Sequence, residues 1–184
     1  MNKDNIKEIV ENLIDTFLYA GEVSLKLRKK GLTKEIKSDN TPVSNGDLEV
    51  NKIITEKISS LTSDIPIISE ETLDNKSITN LKDFWLIDPI DGTYDYINDL
   101  DEFTINAGLI INQEPVAGLI YAPAKQRMFY SYGNNLSFEL MKGKSIKLEC
   151  KKDFNKNEIT FVSYSNKIKP EIEKIHKKLN VKKL

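Results

Sequence analysis

Residues 85–93 read Trp85-Leu86-Ile87-Asp88-Pro89-Ile90-Asp91-Gly92-Thr93. An apolar run over 84–87, of the kind that forms a buried strand, ends there in two aspartates with a proline and an isoleucine between them. The pattern is that of a strand running into a tight acidic turn. Pro89 restricts the backbone, and Gly92 permits a conformation or a close ligand approach that other residues resist. The Asp88 and Asp91 carboxylates and the Ile90 carbonyl converge in such a turn, and oxygen donors of that kind suit a hard cation such as magnesium. A short helix expected over 94–98 would aim its free N–H groups at the same place, setting an anion site beside the cation site. A plain turn with capping aspartates accounts for the same residues. Two acidic motifs are excluded by spacing. An EF-hand needs oxygen ligands at alternate positions before its glycine. In the Asp-x-Asp-Gly-Thr phosphatases a single residue separates the aspartates, whereas two residues would rotate one carboxylate off the shared strand edge.

Upstream, Pro66-Ile67-Ile68-Ser69-Glu70-Glu71 repeats the arrangement: a short strand, expected over 65–69, that ends in paired glutamates. Glutamates after a strand are commonly just solvated. Thr41-Pro42-Val43-Ser44-Asn45-Gly46-Asp47 places Ser44 and Asp47 at capping-box spacing, which starts a second helix near Ser44. Asp47 reads equally as a helix-start carboxylate or as a catalytic group. That helix has the stripe Val50, Ile53, Ile54, Ile58, Leu61 and ends before Thr62. A longer first helix over 5–29 carries Ile6, Ile9, Val10, Leu13, Ile14, Phe17 and Leu18 at the i, i+3, i+4 rhythm. Between the two helices, residues 34–44 read as a short strand and a turn at Ser38-Asp39-Asn40.

Downstream the chain alternates as an antiparallel meander, with strands expected over 103–111, 116–121, 127–132, 136–141 and 145–148. The breaks between them are Asn112-Gln113, Ala122-Pro123, Gly133-Asn134 and Lys142-Gly143. A polar joint over 151–157 leads to one more strand over 159–164 and a basic terminal helix.

The 184 residues suffice for one domain, or one and part of a second, and 39% hydrophobic content supports a packed core. The 27 basic and 28 acidic residues nearly cancel, which argues against nucleic acid or a membrane surface as the main partner. The polar N-terminus MNKDNIKEIVENLI is unlike a signal peptide, and no apolar stretch is long enough to span a bilayer, so a cytoplasmic protein is expected. Cys150 is the only cysteine and reads as a buried free thiol, which excludes an internal disulfide. His176, the only histidine, lies in a lysine-rich helical stretch, so phosphohistidine or Ser-His-Asp chemistry lacks material. There is no Gly-x-x-x-x-Gly-Lys-Ser/Thr loop. Carboxylates and metal remain.

Taken in order, TPVSNGD, PIISEE, WLIDPIDGT and EFTINAGLI resemble the successive motifs of the inositol monophosphatase superfamily. SDNTPVS, SEE, EFTIN and the YAP turn at Tyr121 look most like its 3′(2′),5′-bisphosphate nucleotidases of the CysQ type. The likeness runs from about residue 8 to 164. It implies an α+β fold, a helix pair against an antiparallel sheet, with residues 1–150 forming the metal- and phosphate-binding domain. Residues 151–184 would begin a C-terminal α/β domain that stays incomplete. It implies a Mg2+-dependent phosphomonoesterase with two or three ions in the complete fold and inhibition by Li+. The substrate would be adenosine 3′(2′),5′-bisphosphate, with inositol phosphate as the runner-up. By position, Glu70, Asp88 and the Ile90 carbonyl would hold the first ion, and Asp88 and Asp91 would contribute to a second. Asp47 and Thr93 would position and deprotonate the attacking water, with Glu70 bearing on a further water. Glu70 and the Ile90, Asp91, Gly92 and Thr93 segment would meet the substrate phosphate. Relatives of this type also imply a peripheral association with the inner membrane.

The departures from the family pattern are specific. Tyr94-Asp95-Tyr96 stands where the nucleotidases carry Lys-Glu-Phe, and Ser163-Tyr164-Ser165-Asn166 stands where they carry Ser-Arg-Ser-His. The superfamily's Trp-Asp motif, which supplies a further metal ligand, has no counterpart, since Trp85 is the only tryptophan. The chain stops at Leu184, where relatives continue. An unfinished sheet favours pairing with another chain, hence a homo-oligomer, and a catalytically silent fragment is the competing expectation.

Overall fold

The structure is a computed structural model, and it describes residues 2–37, 41–72, 81–133, 136–149 and 168–179. Contacts divide the chain into two units, Met1–Leu148 and Glu149–Leu184. The first holds two long helices, two short strands that pair with each other, a five-residue helix and a seven-stranded sheet.

Helix α1, Lys3–Lys30, opens on Asn2, whose side chain accepts from the Asn5 N–H at 2.9 Å, and closes on Gly31. Arg28, Lys29 and Lys30 sit at its C-terminus, where the helix dipole favours cations. The expected stripe faces inward: Ile6, Ile9, Val10, Leu13 and Phe17 are buried, with Ile14 and Leu18 at its margin. Strands β1 (Lys34–Ile36) and β2 (Pro42–Ser44) form an antiparallel pair leading into α2, Asn45–Leu61. Val50, Ile54 and Ile58 of α2 are wholly buried.

The sheet runs in the order β3 (Ile67–Ser69), β4 (Phe84–Asp91), β5 (Thr104–Ile111), β6 (Glu114–Ala122), β7 (Arg127–Tyr132), β8 (Ser137–Met141), β9 (Lys144–Leu148). From β4 onward each neighbour is antiparallel, as the alternating pattern predicts. β3 departs from a purely antiparallel sheet by pairing parallel to β4. Helix α2 packs against β4, and α1 packs against α2, β6 and β7, so both helices lie on one face. Trp85, Ile87, Ile105, Leu109 and Leu119 point into that layer. Trp85 is fully buried, and its indole N–H donates to Thr62 Oγ1 at 3.0 Å, which satisfies its one polar atom and ties the end of α2 to β4. On the opposite face Leu86 and Ile120 are about half exposed.

One local expectation is corrected. The strand expected to stop at residue 87 continues through Asp91, so Asp88 and Asp91 lie on a strand and not in a turn. Pro89 is tolerated because the ladder is interrupted there. Between the pairs Asp88–Asn106 and Asp91–Thr104, β4 advances three residues while β5 advances two, which is a β-bulge. Helix α3, Thr93–Ile97, follows directly.

The second unit is described through helix α4, Pro170–Lys178, with Pro170 at its first turn and His176, Lys177 and Lys178 at its last. No helix among the described residues is long and apolar enough to cross a membrane. The strand expected over 159–164, Ser163-Tyr164-Ser165-Asn166, Cys150 and the turn at Ser38-Asp39-Asn40 lie outside the described residues.

Candidate functional site: a carboxylate cluster at the end of two parallel strands

Parallel pairing of β3 and β4 puts the acidic ends of both strands at the same edge; an antiparallel pair would have separated them. Ser69 pairs with Ile87, and the Glu70 N–H donates to the Ile87 carbonyl at 3.1 Å, so Glu70 comes beside Asp88. The bulge then acts on Asp91. Strict alternation would turn residues 88 and 91 to opposite faces, and one extra residue restores them to the same one. The side chains agree: Asn106, directly opposite Asp88, donates from Nδ2 to Asp91 Oδ2 at 3.2 Å.

Asp47 arrives from α2. Its Oδ2 accepts from the Ser44 N–H at 2.8 Å and from Ser44 Oγ at 2.6 Å, completing the predicted capping box. The residue is 1% exposed. Its other oxygen, Oδ1, lies 3.3 Å from Thr93 Oγ1, which is also 3.0 Å from the Ile90 carbonyl. One hydroxyl proton serves both acceptors, so Thr93 links Asp47 to the bulge. Gly92, between Asp91 and Thr93, has φ +94°, and a Cβ there would stand 2.8 Å from the Glu102 carbonyl oxygen. It is the N-cap of α3, whose first N–H groups have no intrahelical acceptors and no side-chain cap.

The electrostatics follow from crowding. Burial, then the charges of Glu70 and Asp91, a hydrogen bond shared with Glu70 and the charge of Asp47 push Asp88 up to about 7. Asp88 Oδ1 is buried and has no donor. Among the described residues, no three acidic, histidine or cysteine side chains already stand at the spacing of an assembled metal centre. The donor chemistry nonetheless fits a hard cation: an unpartnered carboxylate oxygen, two neighbouring carboxylates and a backbone carbonyl.

Residues 5–183 match the sequence model of the inositol monophosphatase family. The chain belongs to this family. A 3′(2′),5′-bisphosphate nucleotidase CysQ of Aggregatibacter actinomycetemcomitans is 33% identical over 142 residues, covering 76% of this chain and 53% of the relative. The chain thus spans about half the length of the curated relatives it matches. The crystal structure of CysQ from Bacteroides thetaiotaomicron, a bacterial member of the inositol monophosphatase family, superposes with a TM-score of 0.65 at 25% identity, over 94% of this chain and 70% of that one. An inositol monophosphatase/NADP phosphatase solved with Mg2+ and phosphate gives a TM-score of 0.63 at 18% identity, over 73% and 51% of the two chains. The inositol monophosphatase-like fold, α+β with a mixed sheet, is therefore the fold of this chain.

Within this family member, several contacts near the site have no local sequence signal that would reveal them. Lys37, just after β1, places Nζ 2.9 Å from Glu71 and 3.8 Å from Glu70. Burial pulls its pKa down, but the hydrogen bond and charge of Glu71, with Glu70 and Asp47, outweigh that and hold Lys37 above the usual lysine range. At Glu71, whose side chain is 6% exposed, burial wins over the pull of Lys37 and raises the carboxyl. Ser69 Oγ donates to Asn51 Oδ1 at 2.6 Å, locking α2 to β3 directly before Glu70. Arg28, from α1, bonds the Leu100 carbonyl and Asp101, pairs with Asp99, and lies over the Phe103 and Tyr96 rings. It thereby pins the segment after α3. Tyr96 in turn packs so closely on Gly46 that a side chain at 46 would collide with its ring. Each of these contacts joins residues distant in sequence, which is why local patterns do not reveal them.

Proposed function

We propose that this chain carries the metal- and phosphate-binding portion of a Mg2+-dependent phosphomonoesterase acting on the 3′(2′)-phosphate of adenosine 3′(2′),5′-bisphosphate. The observation that carries the reading is the buried, donor-free Asp88 Oδ1 beside Glu70 and Asp91, with Asp47 bonded to Thr93 on the same edge. Glu70, Asp88, the Ile90 carbonyl and Asp91 would hold magnesium, which when bound supplies Lewis acidity toward water and neutralises phosphate charge. Ser44 holds Asp47 Oδ2, leaving Oδ1 to take the Thr93 proton. Thr93 Oγ1 can then accept a proton from water at the reacting phosphorus, with Asp47 as the buried base behind it. The N–H groups at Gly92 and Thr93 would orient the phosphate oxygens. No histidine is required. The nucleotide assignment is supported by the CysQ relatives, and inositol phosphate is the alternative substrate. Residues 151–184 are read as the beginning of a second, α/β domain, and the protein as cytoplasmic or peripheral at the inner membrane. Self-association is part of the same proposal.

Phosphate release from adenosine 3′,5′-bisphosphate and from inositol 1-phosphate, with and without Mg2+, tests this. Magnesium-dependent, lithium-inhibited release from the nucleotide is expected. Preference for inositol 1-phosphate would move the assignment to the alternative, and no release from either would leave a cation-binding module without turnover.

A further inference from the structure

Asn106 is an unusual residue for the middle of a central strand, where short polar side chains are depleted. On its sheet face it lies between Asp88 of β4 and Ile120 of β6, its direct partners across the two ladders. Among the described residues of the first unit, two buried side-chain oxygens lack a partner: Asp88 Oδ1 and Asn106 Oδ1. These belong to residues directly opposite each other across β4 and β5. A carboxylate accepts only, so the amide nitrogen of Asn106 must be the end that faces Asp91 Oδ2. That orientation leaves Asn106 Oδ1 as an open acceptor on the face that carries Asp88.

We propose that Asn106 is a positioning residue for the cation site, holding Asp91 by Oδ2 so that Asp91 Oδ1 faces the space beside Asp88. Its own Oδ1 accepts from a donor delivered there, such as a water molecule. The inference rests on the cation-binding reading above and extends it to a residue that touches no reacting atom. A polar group retained in a strand against propensity, with half its hydrogen-bonding capacity unused, is accounted for by a ligand-dependent role. A packing role alone would favour a β-branched residue.

The test measures Mn2+ affinity of the full chain by electron paramagnetic resonance, alongside thermal melting. Asn106→Thr keeps a strand-forming residue but cannot reach Asp91. The exchange Asn106→Asp with Asp91→Asn restores an amide–carboxylate hydrogen bond with the partners reversed. We expect Asn106→Thr to bind Mn2+ about 10–100-fold more weakly with little change in Tm, and the exchange not to recover affinity. Wild-type affinity in Asn106→Thr overturns the inference while leaving the cation site intact, and recovery in the exchange overturns it together with the assignment of Asp91 as a holder of the ion. Absence of Mn2+ binding by the unaltered chain overturns the cation-site reading and this inference with it.

Discussion

Asp88 occupies a half-buried position where Glu70, Asp91 and Asp47 already contribute negative charge, and its Oδ1 has no donor. In the cation-free protein the folded state keeps this proton up to about pH 7, whereas an unfolded chain releases it near 3.8. Between those values the folded state binds more protons than the unfolded one, so stability falls as pH rises through the interval. Urea midpoints in chelator should therefore drop from pH 5 to pH 8 more steeply in the wild type than in Asp88→Asn; equal slopes would contradict this. Asp47 is the other residue on which the proposed mechanism depends. Asp47→Asn keeps an acceptor for the Ser44 cap but removes the base that the proposal places behind Thr93, so on that proposal phosphate release should fall about 10²–10⁴-fold. Calorimetry on the same sample should show Tm almost unchanged, and a variant that retains full turnover would remove Asp47 from the mechanism.

At the scale of elements, two devices build the site: the bulge in β4 and the turn into α3. The bulge converts a spacing that would separate two aspartates into one that unites them, and Pro89 needs it because proline cannot donate to a ladder. Gly92 makes the exit, with φ +94° and the Glu102 carbonyl at its back. Gly92→Ala should cost about 1–3 kcal/mol through backbone strain and shift Thr93 away from Asp47. Chemical denaturation should register the lost stability and the phosphate assay the lost alignment. Stability and activity both at wild-type level would mean that the loop accepts a side chain, contrary to the geometry. The helix pair was legible from the stripes of α1 and α2, as was the meander from its alternation and its turn residues. The length of β4 was not, because Asp-Pro and Asp-Gly are turn signals in any local reading.

For the molecule as a whole, the first unit is a helix layer on one face of a twisted mixed sheet, with the acidic edge where β3 and β4 both end. Pattern was sufficient for the helix positions, the alternating strands of the meander, the capping box at Ser44 and the identity of the acidic groups, since each depends on neighbours within a few residues; the α+β class came from the family resemblance. Membership of the inositol monophosphatase family follows from the order of those local motifs and from the match over residues 5–183. Only the tertiary structure decided that β3 runs parallel to β4, that Asp88 and Asp91 share a face, and that Asn106, Lys37 and Arg28 reach the site or its supports. Those facts depend on strand direction, register and contacts between residues tens of positions apart. Side-chain periodicity carries information about the face a residue occupies, but none about which distant segment lies beside it.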